Sequence, residues 1–212
     1  MTSGPISRIG ELKIPPLPRP LSIPTADIRR GKYAFPVRSG FYFKDTWGEA
    51  RGGGRPHRGV DIFAQEGTKV CAVTSGYVTL LGNWPKGAGL TVRLDADDTY
   101  HYEFMHLKSF DPSMVKAFGG LKDTFYDQKS IKTGRLWVKA GDNIGEVGRT
   151  GFKSNSPTDA HLHFQVYPPN ARHLYPTKED DSRIKPYVFL AKLSGDPQEG
   201  KTASVTHKVF SR

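Results

Sequence analysis

The chain has 212 residues, a formal net charge of +10, a single cysteine, 23 glycines and 16 prolines. One cysteine, Cys71, excludes an intrachain disulfide and a multi-cysteine zinc site, and no apolar run reaches the length of a membrane span. With 36% hydrophobic and 25% charged residues, the chain reads as loop-rich and globular, able to bury a core without disulfides.

Residues 1–34 hold Pro5, Pro15, Pro16, Pro18, Pro20 and Pro24, a density that prevents regular helix and central strand. They read as an extended arm or linker, and they lack the apolar core of a signal peptide. From Phe35 the texture changes to short strand-like runs punctuated by glycine, at 59–63, 68–73, 77–81, 90–94, 100–106, 143–147 and 161–167. Such a pattern predicts a mostly antiparallel β domain with long loops and little helix. Cys71 sits in one of these runs and reads as a buried, inert thiol.

One short helix is predicted near 113–118, with Asp111 as its cap, Pro112 in its first turn and Gly119 at its end. It lies inside a segment, 108–137, that reads as an insertion carrying Phe118, Phe125, Tyr126 and Trp137. That segment is either a loop with its own small core or a groove wall that selects substrate. Residues 168–185 are Pro-rich, then charged, and read as loop. Residues 186–193 are apolar and are expected to dock on the core. The division is therefore an arm at 1–34, one domain at 35–193 and a polar tail at 194–212, in which 203–210 could add an edge strand.

The chemistry is carried by histidines, of which there are seven. Three groups stand out: His57-Arg-Gly-Val-Asp61, Phe104-Met-His106-Leu and His161-Leu-His163-Phe. In a strand, His161 and His163 share one face while Leu162, Phe164 and Val166 share the other. Two histidines on the polar side of a core strand form a rigid wall of the kind a metal site needs. His57 and Asp61, four apart, also fall on one face, with Val60 and Ile62 opposite. Neutral imidazoles plus a carboxylate, with no thiolate, suit catalytic Zn²⁺, which takes three protein ligands and leaves a position for water. Amide hydrolysis needs two further groups, one for the water's proton and one for the oxyanion. The three motifs supply five side chains.

These motifs, in this order, resemble the lysostaphin-type, or LytM-like, zinc metallopeptidases of the bacterial cell wall. The similarity begins at Phe35-Pro-Val and Asp45-Thr-Trp-Gly-Glu-Ala-Arg51 and continues through His57-Arg-Gly-Val-Asp-Ile-Phe-Ala64. It then takes in Gly67-Thr-Lys-Val-Cys-Ala72, Ser75-Gly-Tyr-Val78, His106-Leu, Gly141-Asp-Asn-Ile-Gly145, Val147-Gly-Arg-Thr-Gly151 and His161-Leu-His-Phe-Gln165. The resemblance implies a zinc endopeptidase cutting the stem or cross-link peptides of peptidoglycan. Its metal ligands would be His57, Asp61 and His163, and His106 and His161 would be the helpers. Which helper is base and which is oxyanion donor stays open. Some relatives place a tyrosine shortly before the first ligand histidine, and residues 51–56 contain none. His101 matches no motif position and, in an extended strand, would face away from His106.

The resemblance implies action outside the cytoplasm, on peptidoglycan peptides rather than nucleic acid, and the basic charge suits an anionic wall. Two alternatives keep the same sequence features. One is a catalytically silent relative that binds the wall or activates a hydrolase. The other is the same enzyme used as an antibacterial effector or phage lysin, with an inhibitor or immunity protein as partner.

Overall fold

The computed structural model describes residues 31–152, 158–169 and 183–195, and the backbone of 203–205. The Pro-rich stretch 1–30 and most of the polar tail lie outside the described residues. The strands, in chain order, are β1 (Phe41–Phe43), β2 (Ala50–Arg51), β3 (Arg55–Pro56), β4 (Val60–Ala64), β5 (Lys69–Cys71), β6 (Gly76–Trp84), β7 (Gly89–Ala96), β8 (His101–Phe110), β9 (Ser130–Val138), β10 (Asn143–Val147), β11 (His161–Tyr167) and β12 (Ala203–Val205). The helices are α1 (Pro112–Ala117), α2 (Thr124–Asp127) and α3 (Tyr187–Ser194).

The main sheet runs β12-β1-β4-β11-β8-β7-β6-β9, with β10 bridging β8 and β5. Its pairings are antiparallel, as the short, glycine-punctuated runs predict. β2 and β3 form a separate hairpin closed by Gly52–Gly54. One face of the sheet is core: Val60, Ile62, Tyr102, Phe104, Leu162, Phe164 and Val166 are fully buried there. The alternation of β11 sends Leu162, Phe164 and Val166 to that face and leaves His161, His163 and Gln165 on the other.

The apolar segment 186–193 docks as expected, and it does so as helix α3. Tyr187 meets Phe43 edge-on at 5.8 Å and Phe189 is edge-on to Tyr33 at 5.2 Å. Gly195, at φ 75°, ends this helix. Helix α1 has the predicted cap, since the Asp111 side chain accepts from the Ser113 backbone N–H. Among the described residues no helix is long and apolar enough to cross a membrane.

The segment 108–137 is not loop throughout. Its first residues finish β8, and its last eight belong to β9, which pairs with β6 along residues 76–83. Phe118 and Phe125 join the main core, while Tyr126 and Trp137 are exposed. Asn83, buried on β6, donates to the carbonyls of Phe125, Tyr126 and Gln128 and fastens α2 to the sheet.

Candidate metal centre and active site

The polar face of β4 and β11 carries the site. Their antiparallel register sets His163 directly opposite Asp61. Three atoms converge there: His57 Nε2 lies 3.1 Å from Asp61 Oδ1 and 3.0 Å from His163 Nδ1, and His163 Nδ1 lies 2.7 Å from Asp61 Oδ1. All three residues are buried. Two imidazole nitrogens and a carboxylate oxygen so close together form the donor set for one small cation. Their spacing falls just inside the roughly 3.3 Å edge of a tetrahedron of zinc–ligand bonds. Among the described residues this trio forms a group able to hold a metal ion.

Each donor is braced from behind. His57 Nδ1 sits 2.8 Å from Thr46 Oγ1 and 3.1 Å from the Thr46 carbonyl, which fixes Nε2 as the atom facing the cluster. Arg51 donates to the outer carboxylate oxygen of Asp61 at 2.7 Å, leaving Oδ1 to the histidines. Burial works to raise the Asp61 carboxyl, but the hydrogen bonds and charge of His163 and His57 outweigh it and hold the group well below the usual carboxylate range. Burial pushes the His163 imidazole down, against the pull of Asp61, and so favours the neutral form a ligand requires. Gly59 completes the fit, because a β-carbon there would stand 2.6 Å from the Phe164 carbonyl and 2.7 Å from His163 Nε2.

His106 and His161 stand beside the trio. The ring of His106 is 5.0 Å from that of His161 and 6.0 Å from that of His163, and His161 Nε2 is 3.8 Å from Asp61 Oδ1. Both rings give their Nδ1 proton to a backbone carbonyl, His106 to Thr150 at 2.9 Å and His161 to Asp159 at 2.8 Å. In the neutral tautomer that these bonds select, Nε2 is the atom that carries the lone pair. Burial, with the neighbouring imidazoles of His163 and His161, pushes His106 down to about 3. Phe152 covers both rings, at 4.3 Å from His106 and 5.5 Å from His161.

His106 reaches this face only through a break in the strand. Strict alternation from Tyr102 and Phe104 would send it to the core. Instead His106 takes φ 63° and the β7–β8 register shifts between Leu90 and Val92. This is a bulge that re-aims one side chain, at the cost of a left-handed backbone on a non-glycine residue. Thr150 clamps it: the hydroxyl donates to the Leu107 carbonyl at 2.7 Å and accepts from the Leu90 amide at 2.8 Å. The sequence expectation that His101 and His106 face apart is thereby corrected. His101 stays outside the site for another reason, being bonded to Asp95 at 2.8 Å, opposite Tyr167 on the far end of β11.

Sequence reasoning missed the bracing residues Thr46, Arg51 and Thr150, although all three stand within quoted motifs. It also missed Glu103, which is buried on β8 on the same face. Burial raises its carboxyl from 4.5 to about 7, partly offset by Arg93 and by the Tyr167 hydroxyl. Between those two values the folded chain holds a proton that the unfolded chain releases, so stability falls as pH rises across that window, by about 3 kcal/mol in all. Glu103→Gln is expected to flatten this dependence in denaturant titrations of the metal-free protein at pH 4.5 and pH 8. Identical slopes in the two proteins would mean that Glu103 ionises normally in the fold.

A buried His₂Asp donor set flanked by two backbone-pinned histidines, on an antiparallel sheet, defines a metallopeptidase-type site. The chain belongs to peptidase family M23, whose model matches residues 55–176. It is 35% identical over 150 residues to an L-Ala–D-Glu endopeptidase of Bacillus subtilis (strain 168), across 67% of this chain and 40% of that protein. It is 34% identical over 113 residues to the glycyl-glycine endopeptidase ALE-1 of Staphylococcus capitis, across 53% of this chain and 25% of that protein. The chain thus matches less than half the length of either relative. Among solved structures, the antimicrobial peptidase lysostaphin from Staphylococcus simulans superposes with a TM-score of 0.52 at 26% identity, covering 81% of this chain and 58% of that one.

Proposed function

We propose that this protein is a zinc metalloendopeptidase that hydrolyses peptide bonds in the stem or cross-links of bacterial peptidoglycan, outside the cytoplasm. The observation that carries the reading is the meeting of His57 Nε2, Asp61 Oδ1 and His163 Nδ1 within 3.1 Å of one another beside two histidines whose Nδ1 atoms are held by backbone carbonyls. The two relatives are named for different bonds, L-Ala–D-Glu and glycyl-glycine. Their common ground, a peptide bond of the wall, is the substrate class proposed.

His57, Asp61 and His163 would hold the ion. Zinc so held supplies Lewis acidity, both to a scissile carbonyl and to a water molecule. The remaining work falls to the side chains. His106 and His161, each with Nε2 unprotonated, are poised to accept the proton of an attacking water. Whichever accepts it becomes an imidazolium, and so a donor to the departing amine or to the oxyanion. The Nδ1 bonds to Thr150 and Asp159 hold each ring in place through the transfer. Arg51, about one-third exposed at the rim, adds a fixed positive charge beside the cluster. Residues 51–56 lack a tyrosine, so among the described residues the oxyanion role is assigned to the imidazoles and Arg51.

The purified protein is expected to carry about one zinc per chain, to lose activity on chelation and to regain it with added zinc. Zinc-loaded protein should then release new amino termini from walls of several cross-link types, identified by mass spectrometry. Zinc-loaded protein that generates no new terminus from any wall would defeat the reading.

A further inference from the structure

Behind His163 runs a line of polar side chains that the reaction itself does not use. The Gln165 amide nitrogen lies 2.7 Å from His163 Nε2, and its oxygen lies 2.8 Å from the Tyr167 hydroxyl. That hydroxyl lies 3.1 Å from Glu103 Oε2. Gln165 is 7% exposed, Tyr167 2% and Glu103 2%. The β8–β11 register makes the line possible, since it sets Gln165 opposite Glu103 and leaves Tyr167 one step along the same face. Burying a carboxyl group costs free energy that an apolar side chain would not, and a polar network earns its place only when every member is matched. This one ends at the ring nitrogen of a proposed metal ligand.

We infer that Gln165, Tyr167 and Glu103 form a positioning relay that sets the tautomer of His163 and thereby the affinity of the site for its metal. The inference rests on the reading that His163 binds zinc through Nδ1. Consider the protons. In the arrangement observed, the Gln165 N–H donates to His163 Nε2, so the ring proton sits on Nδ1 and faces Asp61. A metal at Nδ1 requires the other tautomer, with the proton on Nε2. Nε2–H then needs an acceptor, and turning the amide over supplies its oxygen. The amide N–H now donates to the Tyr167 oxygen, and the single Tyr167 proton goes to Glu103. Each link of the line then joins a donor to an acceptor, and the terminal carboxyl group of Glu103 accepts the last proton. Burial and the charge of Glu103 push the Tyr167 hydroxyl up, so it keeps its proton to donate.

The test compares zinc affinity of the metal-stripped full chain, measured by competition with a chromophoric chelator, in wild type, Gln165→Leu, Tyr167→Phe and Gln165→Glu. Gln165→Leu should bind zinc roughly 10- to 100-fold more weakly, the usual cost of losing a partner behind a metal ligand. Tyr167→Phe removes one oxygen and keeps the ring's packing, so it probes the relay even if the leucine variant folds poorly. It should show a smaller loss in the same direction. Gln165→Glu can only accept from Nε2–H and should match or exceed the wild-type affinity. Cobalt spectra should report the same order through the ligand field, which overall stability alone would not change. Wild-type affinity in both Gln165→Leu and Tyr167→Phe, or Gln165→Glu binding as weakly as Gln165→Leu, would overturn the relay alone. A wild-type chain that takes up no zinc would overturn the relay together with the metal reading.

Discussion

His57→Ala, Asp61→Ala and His163→Ala are each expected to lose the metal and the activity together, whereas His106→Ala and His161→Ala keep the metal and lose turnover. The distinction comes from geometry. The first three residues supply the atoms that meet within 3.1 Å, and removing one leaves two donors for an ion that needs three. The loss of affinity should exceed the roughly 10- to 100-fold that follows loss of a partner behind a ligand. The other two rings stand beside the trio rather than in it, each held by its Nδ1 bond to the Thr150 or Asp159 carbonyl. Their removal should cost about 10²- to 10⁴-fold in turnover, the range for proton transfer by a positioned side chain. His101→Ala, with its ring tied to Asp95, should leave both metal and turnover nearly unchanged. Metal content by elemental analysis, set beside turnover on a cross-link peptide, separates the classes. An empty site in His161→Ala with a full one in His163→Ala would reverse the ligand assignment.

Gly59→Ala, a single added methyl group, is expected to approach the severity of a ligand deletion. The new β-carbon would fall 2.6 Å from the Phe164 carbonyl oxygen, 2.7 Å from His163 Nε2 and 2.8 Å from His163 Cε1. The first of these is backbone of a central strand and cannot give way cheaply. The imidazole must then move, and it cannot move without leaving Asp61. Zinc affinity should fall by about tenfold or more, with a stability loss of about 1–3 kcal/mol from overpacking. Gly53→Ala is the control: its φ of 75° strains an alanine, but nothing lies within 4 Å of the added carbon. That variant should lose only about 1–2 kcal/mol of local backbone energy and no metal. Chelator competition and thermal melts of both proteins give the comparison. Undiminished zinc binding in Gly59→Ala would mean that the His163 ring does not lie against that glycine.

Local periodicity made much of the site legible before the structure. His161 and His163 alternate with Leu162, Phe164 and Val166, and a strand can satisfy that pattern in only one way. The cap of α1 was equally plain, because Asp111, Pro112 and Gly119 act within one turn of the chain. Strand β9 was not, since Ile131, Lys132, Thr133, Gly134 and Arg135 are all exposed and an edge strand with so little buried surface has no apolar alternation to display. The placement of His106 defeated period-two reasoning because a bulge, fixed by Thr150 across 43 residues of chain, overrides the alternation. The pairing of Gln165 with Glu103 depends on the β8–β11 register, which no local pattern encodes. The reading of 1–34 as an arm concerns residues almost wholly outside those described.

Asp61 and His163 touch across neighbouring strands although 102 residues separate them along the chain. Closing so long a loop carries a large entropy cost before any contact repays it, and contacts of this range are slow to form. Hairpins such as β6–β7 can assemble from neighbouring residues, but the reactive centre exists only once β4 has found β11. During refolding, the proposed hydrolytic activity is therefore expected to return only after most of the sheet's local structure.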